Sequence, residues 1–162
     1  MTRLNWLQAS PADSQALFAF STHVNESGLE HNLLELVKMR ASQINGCAYC
    51  LDMHSKDARA AGETEQRLYV LAAWREAAHL YSERERSALA LTEAVTRLVD
   101  GQVPDEAYEA ARAKFKDAEL VKLVLAITVI NTWNRINCTF RVEAGGYQPG
   151  MFKQRMGSGT VS

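Results

Sequence analysis

The segment from Cys47 to His54 carries two thiols and a base at spacings that suit redox chemistry. Cys47 and Cys50 are three residues apart, so a disulfide can close across one turn of a helix. His54 follows Cys50 by four residues, and on a helix the three side chains fall within roughly 60° of one another. A dithiol and a proton acceptor then share one patch, which favours a redox site. A structural cysteine pair and a metal site remain open as alternatives.

The spacing does not decide which cysteine would attack a substrate. Cys47 lies nearest the predicted start of its helix, where unpaired backbone N–H groups and the helix dipole favour a thiolate. His54, however, is the i,i+4 partner of Cys50, so an attack assisted by a base favours Cys50. Tyr49, between the cysteines, is expected to be a packing residue.

A zinc site is the weaker alternative, because the chain has neither a second CxxC nor an HxxxH motif. Such a site needs a fourth ligand or a catalytic water. The remaining candidate ligands are scattered along the sequence: His23, His31, His79 and Cys138. Cys138 stands beside apolar residues of a predicted final helix, so we expect it to be a small core residue. We expect no metal and no cofactor.

The composition is that of one globular domain with little net charge. The chain has 162 residues, of which 47% are hydrophobic, enough for one core and too few for two comfortable domains. A net charge of −1 provides no basic field for a phosphate backbone, which argues against nucleic-acid binding. The apolar stretch 120–133 is short and interrupted by polar residues, so we expect a buried helix and no membrane span. Three cysteines favour a reducing compartment, the cytoplasm.

Glycine and proline lie between periodic apolar segments, which predicts an all-α, single-domain helical bundle of about six to seven helices. The predicted helices cover 10–25, 30–44, 47–61, 64–78, 82–99, a short stretch after residue 104, and 117–140. The CxxC helix follows a break at Asn45-Gly46 and stops at Gly62. We expect this helical domain to occupy residues 1–144 and a flexible C-terminal tail, rich in Gly and Ser, to occupy 145–162.

Glu35 lies on the predicted helix that precedes the CxxC segment. On the helical wheel it points away from the apolar stripe of Leu33, Val37 and Ala41. The pattern alone therefore predicts a solvated glutamate. It can join the site only if the CxxC helix or another subunit covers that second face.

The segment from Glu35 to His54, ELVKMRASQINGCAYCLDMH, resembles the alkylhydroperoxidase D-like proteins of the carboxymuconolactone decarboxylase superfamily. It holds a glutamate, two cysteines and a histidine at set spacings, which makes the match specific. The segment 131–135, NTWNR, is a supporting match in the final helix. Together the resemblance spans about residues 29–140.

The resemblance implies an all-α subunit that assembles into trimers or hexamers and reduces hydroperoxides as an antioxidant. In the peroxidase branch the cysteine matching Cys50 becomes the sulfenic acid, and the one matching Cys47 resolves it to a disulfide. The residues matching His54 and Glu35 relay protons to the thiol. The implied partners are a small hydroperoxide and a dithiol reductant, either a lipoyl protein or a thioredoxin-like protein, or a low-molecular thiol.

One residue departs from the family pattern, and two other functions are alternatives to peroxide reduction. The family archetype has a histidine at the position of Tyr49, so the contribution of this position to reduction, and the reductant itself, stay open. Lactone decarboxylases of the same superfamily generally lack the cysteine pair, so the intact CxxC argues against that branch. A disulfide-exchange or stress-response protein, acting on another protein, is the further alternative.

Overall fold

The computed structural model describes residues 1–152, and this part of the chain is all helical. Its α-helices are α1 (Trp6–Ala9), α2 (Pro11–Asn25), α3 (His31–Asn45), α4 (Ala48–Ala60), α5 (Glu65–Val70), α6 (Glu83–Arg97), α7 (Asp105–Arg112) and α8 (Asp117–Phe140). Three short 3₁₀ helices cover Leu71–Ala73, Ala78–Leu80 and Val99–Gly101. The all-α prediction is confirmed, with one more helix than expected because Asn5 caps the short α1.

The centre of the bundle is α3, which packs against α4, α6 and α8. Every residue of α3 from Leu33 to Ser42 is buried, including Glu35, Lys38 and Arg40. The apolar stripe of α3 therefore accounts for only part of its contacts. Its polar face is covered as well, and this places charged side chains inside the protein.

The helix predicted over 64–78 is shorter in the structure. Thr64 caps α5, but α5 ends at Val70 and a 3₁₀ turn follows. Neither glycine nor proline causes the break. The Trp74 indole donates a hydrogen bond to Glu93 at 2.9 Å, and Arg75 donates to the same carboxylate at 2.6 Å. These contacts with α6 override the local helix propensity.

Glu93 is a buried carboxylate whose ionisation should set the acid stability of the fold. Burial alone would raise the pKa of Glu93, but hydrogen bonds from Trp74, Arg75 and Arg40 outweigh it and lower the pKa from 4.5 to about 2. A carboxyl group whose pKa is lower in the folded than in the unfolded protein stabilises the fold at pH values above its unfolded pKa. This contribution is lost as the pH falls through the folded pKa. The free energy of unfolding should therefore decrease as the pH falls from about 4.5 to about 2.

The Glu93→Gln variant tests this prediction by urea unfolding across that pH range. It should be less stable at neutral pH by about 1–3 kcal/mol, because charged donors lose their ionised acceptor. It should also show a weaker dependence of stability on acid pH. Glu76→Gln, an exposed glutamate, is the matched control and should follow the wild type. An unchanged acid profile in Glu93→Gln would show that Glu93 does not stabilise the fold in this way.

The longest helix, α8, has the bounds that the sequence predicts, residues 117–140. Leu123, Ala126 and Ile127 are fully buried, whereas Val121 is 60% exposed and Val124 is 36% exposed. The apolar surface of α8 is therefore only partly covered within one subunit. Among the described residues, no helix has the length and apolar character needed to cross a membrane.

Gly145 and Tyr147, which follow residue 144, lie against α4. The Gly145 N–H donates to Asp52 at 2.9 Å, and the Lys56 ammonium donates to the carbonyl of Tyr147 at 3.0 Å. The Tyr147 hydroxyl donates to Asp57 at 2.8 Å. The first part of the predicted tail thus contacts the CxxC helix. Residues 153–162 lie outside the described part, and the division at residue 144 stays a prediction.

Candidate functional site

The turn between α3 and α4 sets the position of the two cysteines. Gly46 ends α3 with φ of 67°, a left-handed conformation that glycine adopts without strain. The Asn45 side chain donates to Asn131 at 2.9 Å and to Asn134 at 2.8 Å, both on α8. The NTWNR segment therefore has a physical role, since its two asparagines hold the turn that delivers Cys47 to the start of α4.

Cys47 and Cys50 form a disulfide across the first turn of α4, which confirms the predicted pairing. Their Cα atoms are 5.4 Å apart. Cys47 is the N-cap of α4, and its sulfur accepts a hydrogen bond from the backbone N–H of Cys50 at 3.3 Å. The residues are 1% and 0% exposed, and they pack with Ala41 and Ile130. Both sulfur atoms therefore lie inside the bundle.

Glu35 and His54 face each other from neighbouring helices. The Nδ1 atom of His54 lies 2.8 Å from Oε2 of Glu35, and the Lys38 ammonium donates to Oε1 at 2.8 Å. Burial alone would raise the pKa of Glu35, but the charges and hydrogen bonds of His54 and Lys38 outweigh it and hold the pKa well below its usual range. Glu35 is therefore a buried carboxylate.

The expectation from the helical wheel, that Glu35 is solvated, was wrong. Glu35 is only 3% exposed, because α4 packs over the polar face of α3. Lys38, one turn away on the same face, supplies part of the charge that keeps the buried carboxylate ionised. The wheel showed which residues share this face, but it carried no information on what covers it.

The Glu35 contact determines how His54 can exchange protons. An ionised carboxylate only accepts hydrogen bonds, so the shared hydrogen belongs to Nδ1 of His54. The other ring nitrogen, Nε2, is then the proton acceptor in the neutral imidazole. His54 lies one helical turn after Cys50 on the same face of α4. The arrangement can take up a proton at Nε2 while Glu35 stabilises the charged ring.

A cleft of about 920 Å³ opens above this buried pair. Glu35, Lys38 and His54 line its polar base. Most of the remaining wall is apolar, and its Phe, Trp and Tyr members are Trp6, Phe18, Tyr49, Trp133, Tyr147 and Phe152. The rings contact one another, with 5.1 Å between the centroids of Phe18 and Trp133 and 5.8 Å between those of Tyr147 and Phe152. The cleft is large enough for an organic molecule many times the size of water.

Three possible metal ligands also meet at the base of the cleft, since ligand atoms of Glu35, His54 and Asp57 lie within 4.8 Å of one another. Their other partners argue for a hydrogen-bonded network. The Lys38 ammonium is already bound to Glu35, and the Tyr147 hydroxyl donates to both oxygens of Asp57, at 2.8 Å and 2.9 Å. A divalent cation here would face the lysine charge. Proton exchange is the chemistry that this donor set favours.

Cys138 is exposed and its neighbour Asn137 is buried, the reverse of what is usual for a cysteine and an asparagine. Cys138 is an exposed free cysteine, so the prediction that it is a core residue was wrong. The rotation of α8 turns Asn137 inward instead, where it is 5% exposed and its amide donates to the sulfur of Cys50 at 3.4 Å. Sequence reasoning missed Asn137, because its contact is 87 residues away in the chain. Asp57 could have been found from its i,i+3 spacing to His54.

Comparisons with known proteins show the family to which the chain belongs. The sequence model of the carboxymuconolactone decarboxylase family matches residues 11–94, which include Glu35, Cys47, Cys50 and His54. The uncharacterized protein YdfG of Bacillus subtilis is 42% identical over 135 residues, covering 83% of this chain and 91% of that protein.

Solved structures show the same fold. A protein of unknown function from Agrobacterium tumefaciens, for which an AhpD role in antioxidant defence has been suggested, is 45% identical with a TM-score of 0.87. The match covers 91% of this chain and 100% of that one. An uncharacterized peroxidase-related protein from Silicibacter is 23% identical with a TM-score of 0.76, covering 88% and 76% of the two chains, and shows the fold alone. With this family match and these close relatives, the chain belongs to the carboxymuconolactone decarboxylase family and has its alkylhydroperoxidase D-like fold.

Proposed function

We propose that the protein is a thiol-dependent peroxidase that reduces hydroperoxides through the Cys47–Cys50 dithiol. The observation that carries the proposal is a cysteine pair able to form a disulfide, next to a buried Glu35–His54 pair that lines the base of a large cleft. A dithiol supplies the two electrons that reduction of a peroxide requires, and the histidine handles the protons.

The reaction would begin on the reduced protein. His54 accepts the Cys50 proton, and the thiolate attacks the terminal oxygen of the hydroperoxide. A sulfur–oxygen bond forms, the oxygen–oxygen bond breaks, and sulfur loses two electrons to the peroxide. The departing alkoxide takes a proton from His54 and leaves as an alcohol. The Cys47 thiol then attacks the Cys50 sulfenic acid, which closes the disulfide and releases water.

Glu35 and His54 act together in these reaction steps. The Glu35 carboxylate holds the ring by Nδ1 and stabilises the imidazolium that forms during attack. In the described structure no direct hydrogen bond joins His54 to Cys50, although they share a helix face. We infer that the hydroperoxide or a bridging water carries the proton between them.

The partners follow from the burial of the two sulfurs. Both cysteines are almost inaccessible, and the cleft beside them is the approach that we propose for the reductant. A slender dithiol such as a lipoyl arm suits this approach better than the broad surface of a thioredoxin-like protein. Dependence on such a reductant agrees with a reducing compartment, the cytoplasm.

We also propose that the chain forms a homo-oligomer, a trimer or hexamer. The exposed apolar residues of α8, Val121 and Val124, support this, because a second subunit would remove them from water. Light scattering at micromolar concentration should give a mass three or six times that of the 18.0 kDa chain. A uniform 18.0 kDa species would contradict the proposal.

Turnover assays with three substrate classes test the proposed function. The wild type and Cys138→Ser should both consume an organic hydroperoxide when a dihydrolipoyl compound regenerates the dithiol, and Cys50→Ser should not. Turnover of a protein disulfide without hydroperoxide turnover would favour the disulfide-exchange alternative. Lactone turnover that persists in Cys50→Ser would favour the decarboxylase branch.

A further inference from the structure

We propose that Asn137 is a catalytic residue of this site, whose side-chain amide stabilises the Cys50 thiolate. This inference rests on the proposed function, in which Cys50 is the attacking sulfur. The same thiolate is the leaving group when a reductant attacks Cys47 in the disulfide. Asn137 would therefore act in both halves of the cycle.

The contact is direct and buried. The Nδ2 atom of Asn137 lies 3.4 Å from the Cys50 sulfur, in a place where Asn137 is 5% exposed and Cys50 is fully buried. A disulfide sulfur has no hydrogen to donate, so the amide must present its N–H group and not its oxygen to Cys50. The orientation that donates to a disulfide sulfur also suits a thiolate.

The backbone around Asn137 holds this donor in place. Asn137 lies in the last turn of α8, and its carbonyl accepts a hydrogen bond from the Val142 N–H at 3.0 Å. Asn137 also lines the cleft. The donor therefore comes from a helix, contacts the Cys50 sulfur and lines the cleft.

The two sulfurs receive their donors from different sources. The Cys47 sulfur is bonded by the backbone N–H of Cys50, whereas the Cys50 sulfur is bonded by the Asn137 side chain. A side-chain substitution at 137 should therefore act on Cys50 and leave Cys47 as it was. Hydrogen bonds to an ionised acceptor are roughly twice as strong as neutral ones, so the donor should favour the thiolate over the thiol.

The test uses proteins that retain one thiol. Cys47→Ser/Cys138→Ser leaves only Cys50, and Cys50→Ser/Cys138→Ser leaves only Cys47. Into each we would introduce Asn137→Ala or Asn137→Asp and measure the rate of iodoacetamide alkylation against pH. For Cys50, Asn137→Ala should raise the apparent pKa of alkylation by about one unit, a tenfold loss of thiolate at neutral pH. Asn137→Asp should raise it further, since it adds a negative charge. In Asn137→Ala the Cys47 profile should not move, whereas the carboxylate of Asn137→Asp lies close enough to both sulfurs to shift both profiles.

Thr139→Ala is the matched control, an exposed position near the end of the same helix, and should leave both profiles unchanged. In Asn137→Ala, equal shifts for Cys47 and Cys50, or no shift for Cys50, would overturn the proposal. If Asn137→Ala does not fold, Asn137→Leu, which keeps a branched side chain but has no donor and no charge, decides the question in the same way. The measurement uses no peroxide. Failure of the peroxidase proposal would instead appear as a wild type that consumes no hydroperoxide while its Cys50 still responds to Asn137.

Discussion

Replacing Cys50 with serine is expected to abolish peroxide consumption, whereas replacing Cys47 should permit one attack and then trap a sulfenic acid at Cys50. A serine hydroxyl cannot be oxidised by two electrons at neutral pH, so the first step needs the sulfur of Cys50. Without Cys47 the sulfenic acid has no neighbouring thiol with which to condense. Peroxide loss in a single turnover, with mass detection of a dimedone adduct, measures both outcomes.

Cys138→Ser provides the matched control for these variants, because Cys138 is exposed and outside the disulfide. It should consume peroxide at the wild-type rate. If Cys47→Ser loses the initial attack while Cys50→Ser keeps it, the roles are reversed, and the position of Cys47 at the start of α4 matters more than the spacing of Cys50 to His54.

Replacing His54 with alanine should slow the attack by about 10²–10⁴-fold, the usual contribution of a positioned general base. An ordinary cysteine is mostly protonated at neutral pH, so the site depends on removal of its proton. Glu35→Gln should have a smaller effect, because Glu35 acts through the ring that it holds at 2.8 Å. Single-turnover rates of peroxide loss measure both effects.

The double variant shows whether His54 and Glu35 act through one proton path or contribute independently to the rate of attack. His54→Ala with Glu35→Gln should be hardly slower than His54→Ala alone, since the carboxylate has nothing to orient once the ring is gone. His79→Ala, at an exposed histidine, should keep the wild-type rate. Full activity in Glu35→Gln would reduce Glu35 to a buried charge that only balances Lys38.

Local patterns predicted the helices well, because capping residues and glycine act within one or two turns. Ser82 and Glu85 form a capping box at the start of α6, and α8 has its predicted bounds. The pattern failed where a distant contact competes with it. The helix after Thr64 stops at Val70, since Trp74 and Arg75 turn toward Glu93. No feature of residues 64–78 shows that this partner exists.

The same distinction between local patterns and distant contacts explains which site residues could be predicted from the sequence. The spacing of Cys47, Cys50 and His54 lies within one helix and could be read directly. Glu35 needed the family resemblance, because a helical wheel does not show that α4 covers its face. Asn137 was missed, since which side of α8 faces the cysteines depends on how the helices pack, and that rotation also exposes Cys138.

The stoichiometry of one oxidation cycle tests the central claim most directly. Reduced protein would be mixed with less than one equivalent of an organic hydroperoxide, and the thiols that survive would be labelled and assigned by mass. For each hydroperoxide reduced to its alcohol, the account predicts loss of two thiols, both in the peptide that contains Tyr49, with Cys138 still free. Hydroperoxide that stays intact while all three thiols survive would contradict it, as would oxidation of Cys138 in place of the pair.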